Sequence, residues 1–283
     1  MNPRELDVAL SFIQQYPQAA ARELELQTQE TTVELLQTLP LRQGRQLITH
    51  MLPSYAARLC TQLSLDVAAG LLAEFNANQA AAILRGIPKP KRDDLLTVLP
   101  EKTAMLCRLL LSYSEDSVGA WMNADIVMLP PNCSVAEALQ RYMDGSGSII
   151  GDALPVVDSS NFLVGLVKLK DLLRAKAESS ISHLRQPAPV TLSSRNSLAA
   201  AARNEGWRQQ DILPVLNRNK QLVGLLHHVD LRHNLANFGK LARTAPQHDL
   251  LGNIGEAYIS SLAALLGLID KQQTTTGAML GER

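Results

Sequence analysis

Along the first hundred positions an apolar residue followed by a helix-starting or turn residue keeps recurring. The pairs are Leu39-Pro40, Leu52-Pro53, Leu63-Ser64, Phe75-Asn76, Ile87-Pro88 and Leu99-Pro100. They recur about every dozen positions, with the step into Leu52 one longer than the rest and the step out of it one shorter. Proline in the first turn and Ser or Asn at an N-cap both start helices. Each unit therefore reads as one short helix of about two turns followed by a tight turn. Leu71, Leu72 and Phe75, and then Ile83, Leu84 and Ile87, give such helices an apolar face at i, i+3, i+4 spacing. Helices this short are marginal alone and must stack on neighbours. The rhythm predicts a small right- or left-wound α-solenoid, with a compact bundle of coincidental spacing as the alternative.

A different pattern follows. Leu154-Pro155-Val156-Val157 returns as Leu213-Pro214-Val215-Leu216, and Leu163-Val164-Gly165-Leu166 returns at the same offset as Leu222-Val223-Gly224-Leu225. Asp171-Leu172 and Asp230-Leu231 keep that offset too. Ser134-Val135 and Ser197-Leu198 are separated by slightly more, which implies a short deletion in the second copy. Blocks held in register mark an internal repeat. Each copy predicts a short strand (Ile126–Leu129; Val190–Leu192), a Ser-started helix (Ser134–Met143; Ser197–Trp207), a buried strand (Ala153–Val157; Ile212–Leu216), a polar turn, a further strand (Leu163–Val167; Leu222–Leu226) and a helix from near Lys170 or Val229. The mid-strand glycine of Val-Gly-Leu weakens a strand unless a backbone or ligand approaches closely. Beyond the repeat, Leu251, Ile254, Tyr258, Leu262, Leu265 and Ile269 form one helical apolar stripe that needs a partner. The stretch 272–283 reads as a disordered tail.

Composition narrows the classes. The chain has 283 residues, 46% hydrophobic and 19% charged, with Lys+Arg 27 against Asp+Glu 27. That is ordinary globular composition, and zero net charge gives no long-range pull toward nucleic acid. Charge is nevertheless local: between Leu35 and Arg92 the acids are Asp66 and Glu74, against Arg42, Arg45, Arg58, Arg85, Lys89, Lys91 and Arg92. No run of about 20 apolar residues exists to span a bilayer. The opening Met1-Asn2-Pro3-Arg4-Glu5 has no apolar signal core, so a cytoplasmic location is expected. Cys60, Cys107 and Cys133 are odd in number and scattered, as suits reduced thiols rather than a zinc site. Cys133 stands at a helix start, a setting that lowers a thiol pKa.

With these residues in place the chain resembles a known family. The β-α-β-β-α repeat, with Leu-Pro-Val-Val-Asp, Leu-Val-Gly-Leu and a closing Asp171 or Asp230, looks like a tandem cystathionine-β-synthase (CBS) pair. The segment Tyr113-Ser-Glu-Asp-Ser-Val-Gly-Ala-Trp-Met122 is similar to the Tyr-x-Glu-Asp-Ser-Ala-Gly-x-x-Met junction of MgtE-type magnesium transporters. The resemblance covers about residues 30–245. It implies an all-α superhelical N-terminal domain (1–118), CBS domains at 119–181 and 182–246, a C-terminal amphipathic helix (247–271) and the tail. It implies a homodimer through the CBS pair. Relatives continue into a membrane pore, whereas here Leu231–Arg283 cannot span, so a stand-alone soluble relative is expected, with a pore-less fragment as the alternative.

The departures from the family decide the candidate sites. Relatives carry acids where this chain has Asn76-Ala77-Asn78-Gln79, and Leu231–His248 has no acid at all. Hard cations need oxygen ligands, and the acids near the junction are Glu115, Asp116, Asp125 and Asp144, of which Glu115 and Asp116 are the candidate Mg²⁺ ligands. Many CBS pairs bind adenine nucleotides through Gly-h-h-Thr/Ser-x-x-Asp. Here Gly165-Leu-Val-Lys168-Leu-Lys-Asp171 and Gly224-Leu-Leu-His227-His-Val-Asp230 keep both aspartates, suited to ribose, and place Lys168 and His227 where the hydroxyls stand. The alternative is that both aspartates merely cap the helices that follow. His227 and His228 face opposite ways on a strand and do not share an ion. Asp144-Gly-Ser-Gly-Ser148 lacks the ending of a phosphate loop, and Glu115 and Asp116 are able to cap the helix around Val118 instead of holding a cation.

No nucleophile, base and orienter come together in sequence, so a non-catalytic protein is expected. The first reading is a regulatory module that senses Mg²⁺ or an adenine nucleotide (ATP, ADP or AMP) and moves about a hinge near Tyr113–Met122. The second is a ligand-free adaptor that docks a transporter or other protein through its helical domain and C-terminal helix.

Overall fold

A computed structural model gives the fold, and residues 10–144, 153–187 and 190–244 are described, with side chains to residue 236. Residues 10–15 are helical. Eight helices follow: α1 (Pro17–Leu26), α2 (Gln29–Thr38), α3 (Leu41–His50), α4 (Pro53–Gln62), α5 (Leu65–Leu72), α6 (Ala77–Arg85), α7 (Lys89–Val98) and α8 (Glu101–Leu111). From α1 to α8 each packs on the next but one, α1 on α3, α2 on α4, and so to α6 on α8. That is solenoid packing in two rows, as the spacing predicts.

The structure corrects the spacing in one place. The N-caps are Pro40, Leu52, Ser64, Asn76, Pro88 and Pro100, so the caps are evenly spaced throughout. The buried residue before each cap is Leu39, Met51, Leu63, Phe75, Ile87 or Leu99. Leu52 is 62% exposed whereas Met51 is 6% exposed. The Leu-Pro pair at 52–53 is shifted by one, because Pro53 occupies the first helical position and not the cap. Burial, rather than proline, keeps the register.

The basic excess of the array has a structural use. Lys91 Nζ donates to the carbonyls of Thr61 and Leu63, at the end of α4. Arg108 Nη2 donates to Leu96 O in the last turn of α7 at 2.8 Å. The last carbonyls of a helix have no partner inside it and carry partial negative charge, so these cations close helix ends.

The one-turn helix α9 (Val118–Trp121) leads into the repeats. The first contains α10 (Val135–Asp144), β1 (Ala153–Val157), β2 (Leu163–Lys168) and α11 (Leu169–Arg174). The second contains β3 (Leu192–Ser193), α12 (Leu198–Ala202), β4 (Ile212–Leu216), β5 (Leu222–His227) and α13 (His228–Thr244). Both hairpins are antiparallel with matching register, Ala153↔Lys168 and Ile212↔His227. Ser134 and Glu137 form a capping box at α10, each side chain accepting from the other's backbone N–H.

Three predicted elements differ. The strand expected at Val190–Leu192 is β3 at Leu192–Ser193. Residues 126–129 form no strand beyond a single parallel bridge from Leu129 to Val156, the counterpart of β3 beside β4. The helix expected over Ser197–Trp207 stops at Ala202, and a 3-10 turn (Glu205–Arg208) follows, started by Asn204 Oδ1 accepting from Gly206 N–H. The stripe at 251–269, the tail and most of the loop after Asp144 lie outside the described residues.

Met51→Ala removes a buried side chain from the solenoid and costs about 2–5 kcal/mol, whereas Leu52→Ala stays within about 0.5 kcal/mol. Urea denaturation of the two variants checks which residue holds the period.

Candidate functional site

The site is the junction between the solenoid and the repeats, and it is built around α9. A helix leaves its first N–H groups and last carbonyls without partners, and a helix of one turn is made almost entirely of such groups. In α9 the two ends are satisfied by different domains. Val118 N–H donates to Asn196 O and Gly119 N–H to Ser194 O, both at 2.8 Å, in the second repeat. At the other end Asn78 Nδ2, on α6, donates to Met122 O at 2.7 Å and Trp121 O at 3.4 Å. Arg85 Nη2, also on α6, donates to Ala120 O and to Leu110 O of α8, each at 3.3 Å. Its guanidinium lies 5.4 Å from the centre of the Trp121 ring. Burial lowers the Arg85 pKa, Glu115 opposes that shift, and Arg92 adds to it.

The chain then continues into the second repeat's sheet. Asn123 and Leu225 exchange N–H···O bonds of 2.7 and 2.9 Å. Leu166 of the first repeat exchanges bonds with Gln186 in the same way, at 2.8 and 3.1 Å. Each lead-in segment thus pairs with the other repeat's strand, and the two crossings stand at equivalent places in the duplication. This explains the two mid-strand glycines. A Cβ on Gly224 would lie 2.6 Å from Asn123 O, and one on Gly165 would strike Gln186 O. A backbone, not a ligand, occupies the space. Lys102 of α8 adds an ion pair to Asp125 at 2.7 Å.

The nucleotide candidates lie on two equivalent strand-to-helix turns. Lys168 ends β2 and is the N-cap of α11, with Asp171 in its first turn. His227 ends β5, and Asp230 stands in the first turn of α13. The cap of α11 is Lys168, without a side-chain bond, and Asp171 lies inside the helix. Among the described residues none of these four side chains makes a hydrogen bond or ion pair. His228 stacks on Trp207 with ring centres 4.9 Å apart.

The metal candidates are placed differently. Asp116 accepts from Ser114 Oγ, its carbonyl accepts from Leu198 N–H at 2.7 Å, and the Glu115 carbonyl accepts from Trp121 Nε1. Among the described residues no group of three or more His, Cys, Asp or Glu side chains is placed to hold a metal ion. Beside Asp116 a cleft of about 480 Å³ opens, with Ser114, Asp116 and Ser117 on the side leading into α9 and Arg195, Asn217 and Arg218 on the second repeat.

Sequence reasoning passed over Asn78, Arg85 and Lys102 as junction residues. Their signal was visible, as amides where relatives carry acids and as part of the basic excess, but the targets of Asn78 and Arg85 are backbone carbonyls, which no side-chain pattern reveals. The expectation of a lowered Cys133 pKa is overturned: burial raises it, and Glu137 raises it further. Burial pushes Cys60 and Cys107 up to about 12.

Asn78→Asp replaces two donated bonds by a carboxylate facing carbonyls, at a cost of about 1–3 kcal/mol at pH 7. Such a carboxylate has a folded-state pKa above its unfolded value, so stability falls as pH rises and is partly recovered below about pH 4. Denaturation at the two pH values checks this.

Comparison with known proteins agrees with this architecture. Residues 15–116 match the family model for the MgtE intracellular N domain, and residues 118–178 match the CBS domain. The crystal structure of the cytosolic domain of the Mg²⁺ channel MgtE in complex with ATP is similar over 82% of this chain and 94% of that one, with TM-score 0.69 and 22% identity. The soluble part of a magnesium transporter is similar over 83% and 98%, with TM-score 0.60 and 20% identity. The uncharacterized protein YtoI of Bacillus subtilis (strain 168) is 30% identical over 98 residues, 35% of this chain and 22% of YtoI. The chain thus spans about a fifth of that curated relative's length. No helix among the described residues is long and apolar enough to cross a membrane. The chain therefore carries an MgtE intracellular N domain followed by CBS repeats, in the fold of the cytosolic part of MgtE-type magnesium transporters.

Proposed function

We propose that the chain is a non-catalytic regulatory module in which an adenine nucleotide, bound by the CBS pair, changes how the helical domain rests upon it. The observation that carries this reading is the division of α9. Its N–H groups are held by the second repeat and its carbonyls by the helical domain, so a shift in the repeat moves the groups that seat the other domain. A ligand drives such a shift only if it prefers one arrangement.

The chemistry of the ligand follows from the unpartnered turns. Asp171 and Asp230 are acceptors for ribose hydroxyls. Lys168 offers a fixed cation to phosphate, and His227 offers one when protonated. The ATP complex of a protein of the same fold supports this class of ligand. Mg²⁺ has less support, since Glu115 and Asp116 supply two adjacent carboxylates where a hard cation takes six or more oxygens. Homodimerisation through the CBS pair is part of the proposal. Leu173 at 67% exposure and Val229 at 70% leave apolar surface on α11 and α13 for a second copy.

A second reading, a ligand-free adaptor for a transporter or other protein, is favoured by Asn78 and Arg85. Both join the helical domain to α9 directly, through side-chain bonds to its carbonyls.

Thermal denaturation with ATP, ADP, AMP or Mg²⁺ separates the readings. A ligand that binds only the folded state at about 100 times its Kd adds roughly 2.7 kcal/mol. A shift with nucleotide that vanishes in Asp171→Ala or Asp230→Ala is the expected result. A shift with Mg²⁺ alone transfers the sensing role to the ion, and no shift with any of them leaves the adaptor.

A further inference from the structure

Most cations near the junction are already used. Arg85, Lys91 and Arg108 bond backbone carbonyls, and Lys102 pairs with Asp125. Arg195 and Arg218 differ. Both line the cleft beside the hinge, and among the described residues neither guanidinium makes a hydrogen bond or ion pair.

Two firm turns carry them. Arg195 follows β3, where its N–H donates to Ser193 Oγ at 3.3 Å. Arg218 lies in the β4–β5 turn, which closes through Lys220 N–H to Asn217 O at 3.1 Å with Lys220 at φ 64°. Ser194 N–H donates to Leu216 O at 2.8 Å and ties the two turns together. The two turns are thus joined by backbone bonds, and both arginines line one cleft.

The facing wall has a different character. Asp116 offers a carboxylate, steadied by Ser114 Oγ, and Ser117 Oγ is occupied by Ser114 O. Two cations face one anion, so the cleft carries a net positive charge. Guanidinium forks match phosphate oxygens. A carboxylate accepts from hydroxyls and repels a bare phosphate. The volume of about 480 Å³ admits a ligand larger than an inorganic ion.

We infer that the cleft between the hinge and the second repeat binds a phosphorylated sugar or nucleoside monophosphate, with Arg195 and Arg218 on the phosphate and Asp116 on the hydroxyls. Such a ligand bridges the hinge and the second repeat and stiffens the junction. The site shares no residue with the Asp171 and Asp230 turns, so it stands apart from the nucleotide reading above.

Isothermal titration of the full chain with ribose 5-phosphate, AMP and inorganic phosphate tests the inference. The variants are Arg195→Ala/Arg218→Ala and, separately, Asp171→Ala/Asp230→Ala. The site predicts that ribose 5-phosphate binds, that the arginine variant loses about tenfold or more in affinity, and that the aspartate variant keeps it. It also predicts that inorganic phosphate binds more weakly and that affinity falls as salt is raised. AMP binding more tightly than ribose 5-phosphate, with the same arginine dependence, identifies a nucleotide as the occupant. Equal affinity in wild type and the arginine variant overturns the inference, as does the absence of binding by both organic phosphates at millimolar concentration. Loss confined to the aspartate variant also overturns it, while supporting the turns as the nucleotide site. Both arginines are exposed, so unchanged melting of the arginine variant confirms that a loss reports the site.

Discussion

A helix of one turn cannot satisfy its own backbone, and α9 is such a helix. Its N–H groups at Val118 and Gly119 are bonded by the second repeat, and its carbonyls at Ala120, Trp121 and Met122 by Asn78 and Arg85 of the solenoid. Leaving a buried polar group unpaired costs about 1–3 kcal/mol, so neither domain leaves α9 without loss. The junction is therefore a shared structural element rather than a slack linker, and Lys102 with Asp125 extends it toward the first repeat.

The CBS pair is woven by the same logic. Asn123 pairs with Leu225 of the second repeat, and Gln186 pairs with Leu166 of the first. Gly224 and Gly165 make room for these crossings. Backbone bonds thus tie each repeat to the other and to α9. In the solenoid each helix rests on the next but one, and α6 holds the junction through Asn78 and Arg85.

Much of this was legible in the sequence. The constant offset between the two copies gave both hairpins with their register, and the recurring apolar residue gave the solenoid. The period was misread at Leu52 because a proline draws attention one position away from the buried Met51. The strand expected at residues 126–129 is reduced to one bridge, since an apolar run does not ensure a ladder partner. The junction donors were harder to read. Asn78 and Arg85 act on carbonyl oxygens, which every residue possesses, so only the folded backbone shows which ones they reach. The local basic excess was noticed, but its use at helix ends depends on which helices are neighbours. The strand-to-helix turns bearing Asp171 and Asp230 follow from the duplicated motif, whereas the cleft between Arg195, Arg218 and Asp116 joins segments far apart along the chain that no motif links.

The central claim is that Asn78 and Arg85 seat the helical domain on the CBS pair by bonding the carbonyls of α9. Spin labels at Glu34→Cys on α2 and Ala199→Cys on α12 report the distance between the two, since both positions are exposed while the native thiols are buried. Pulsed dipolar spectroscopy is predicted to give one narrow distance distribution, equal in EDTA and in millimolar Mg²⁺, that broadens when Asn78→Ala and Arg85→Ala are combined. A distribution that is broad in EDTA and narrows only with Mg²⁺ would contradict the account.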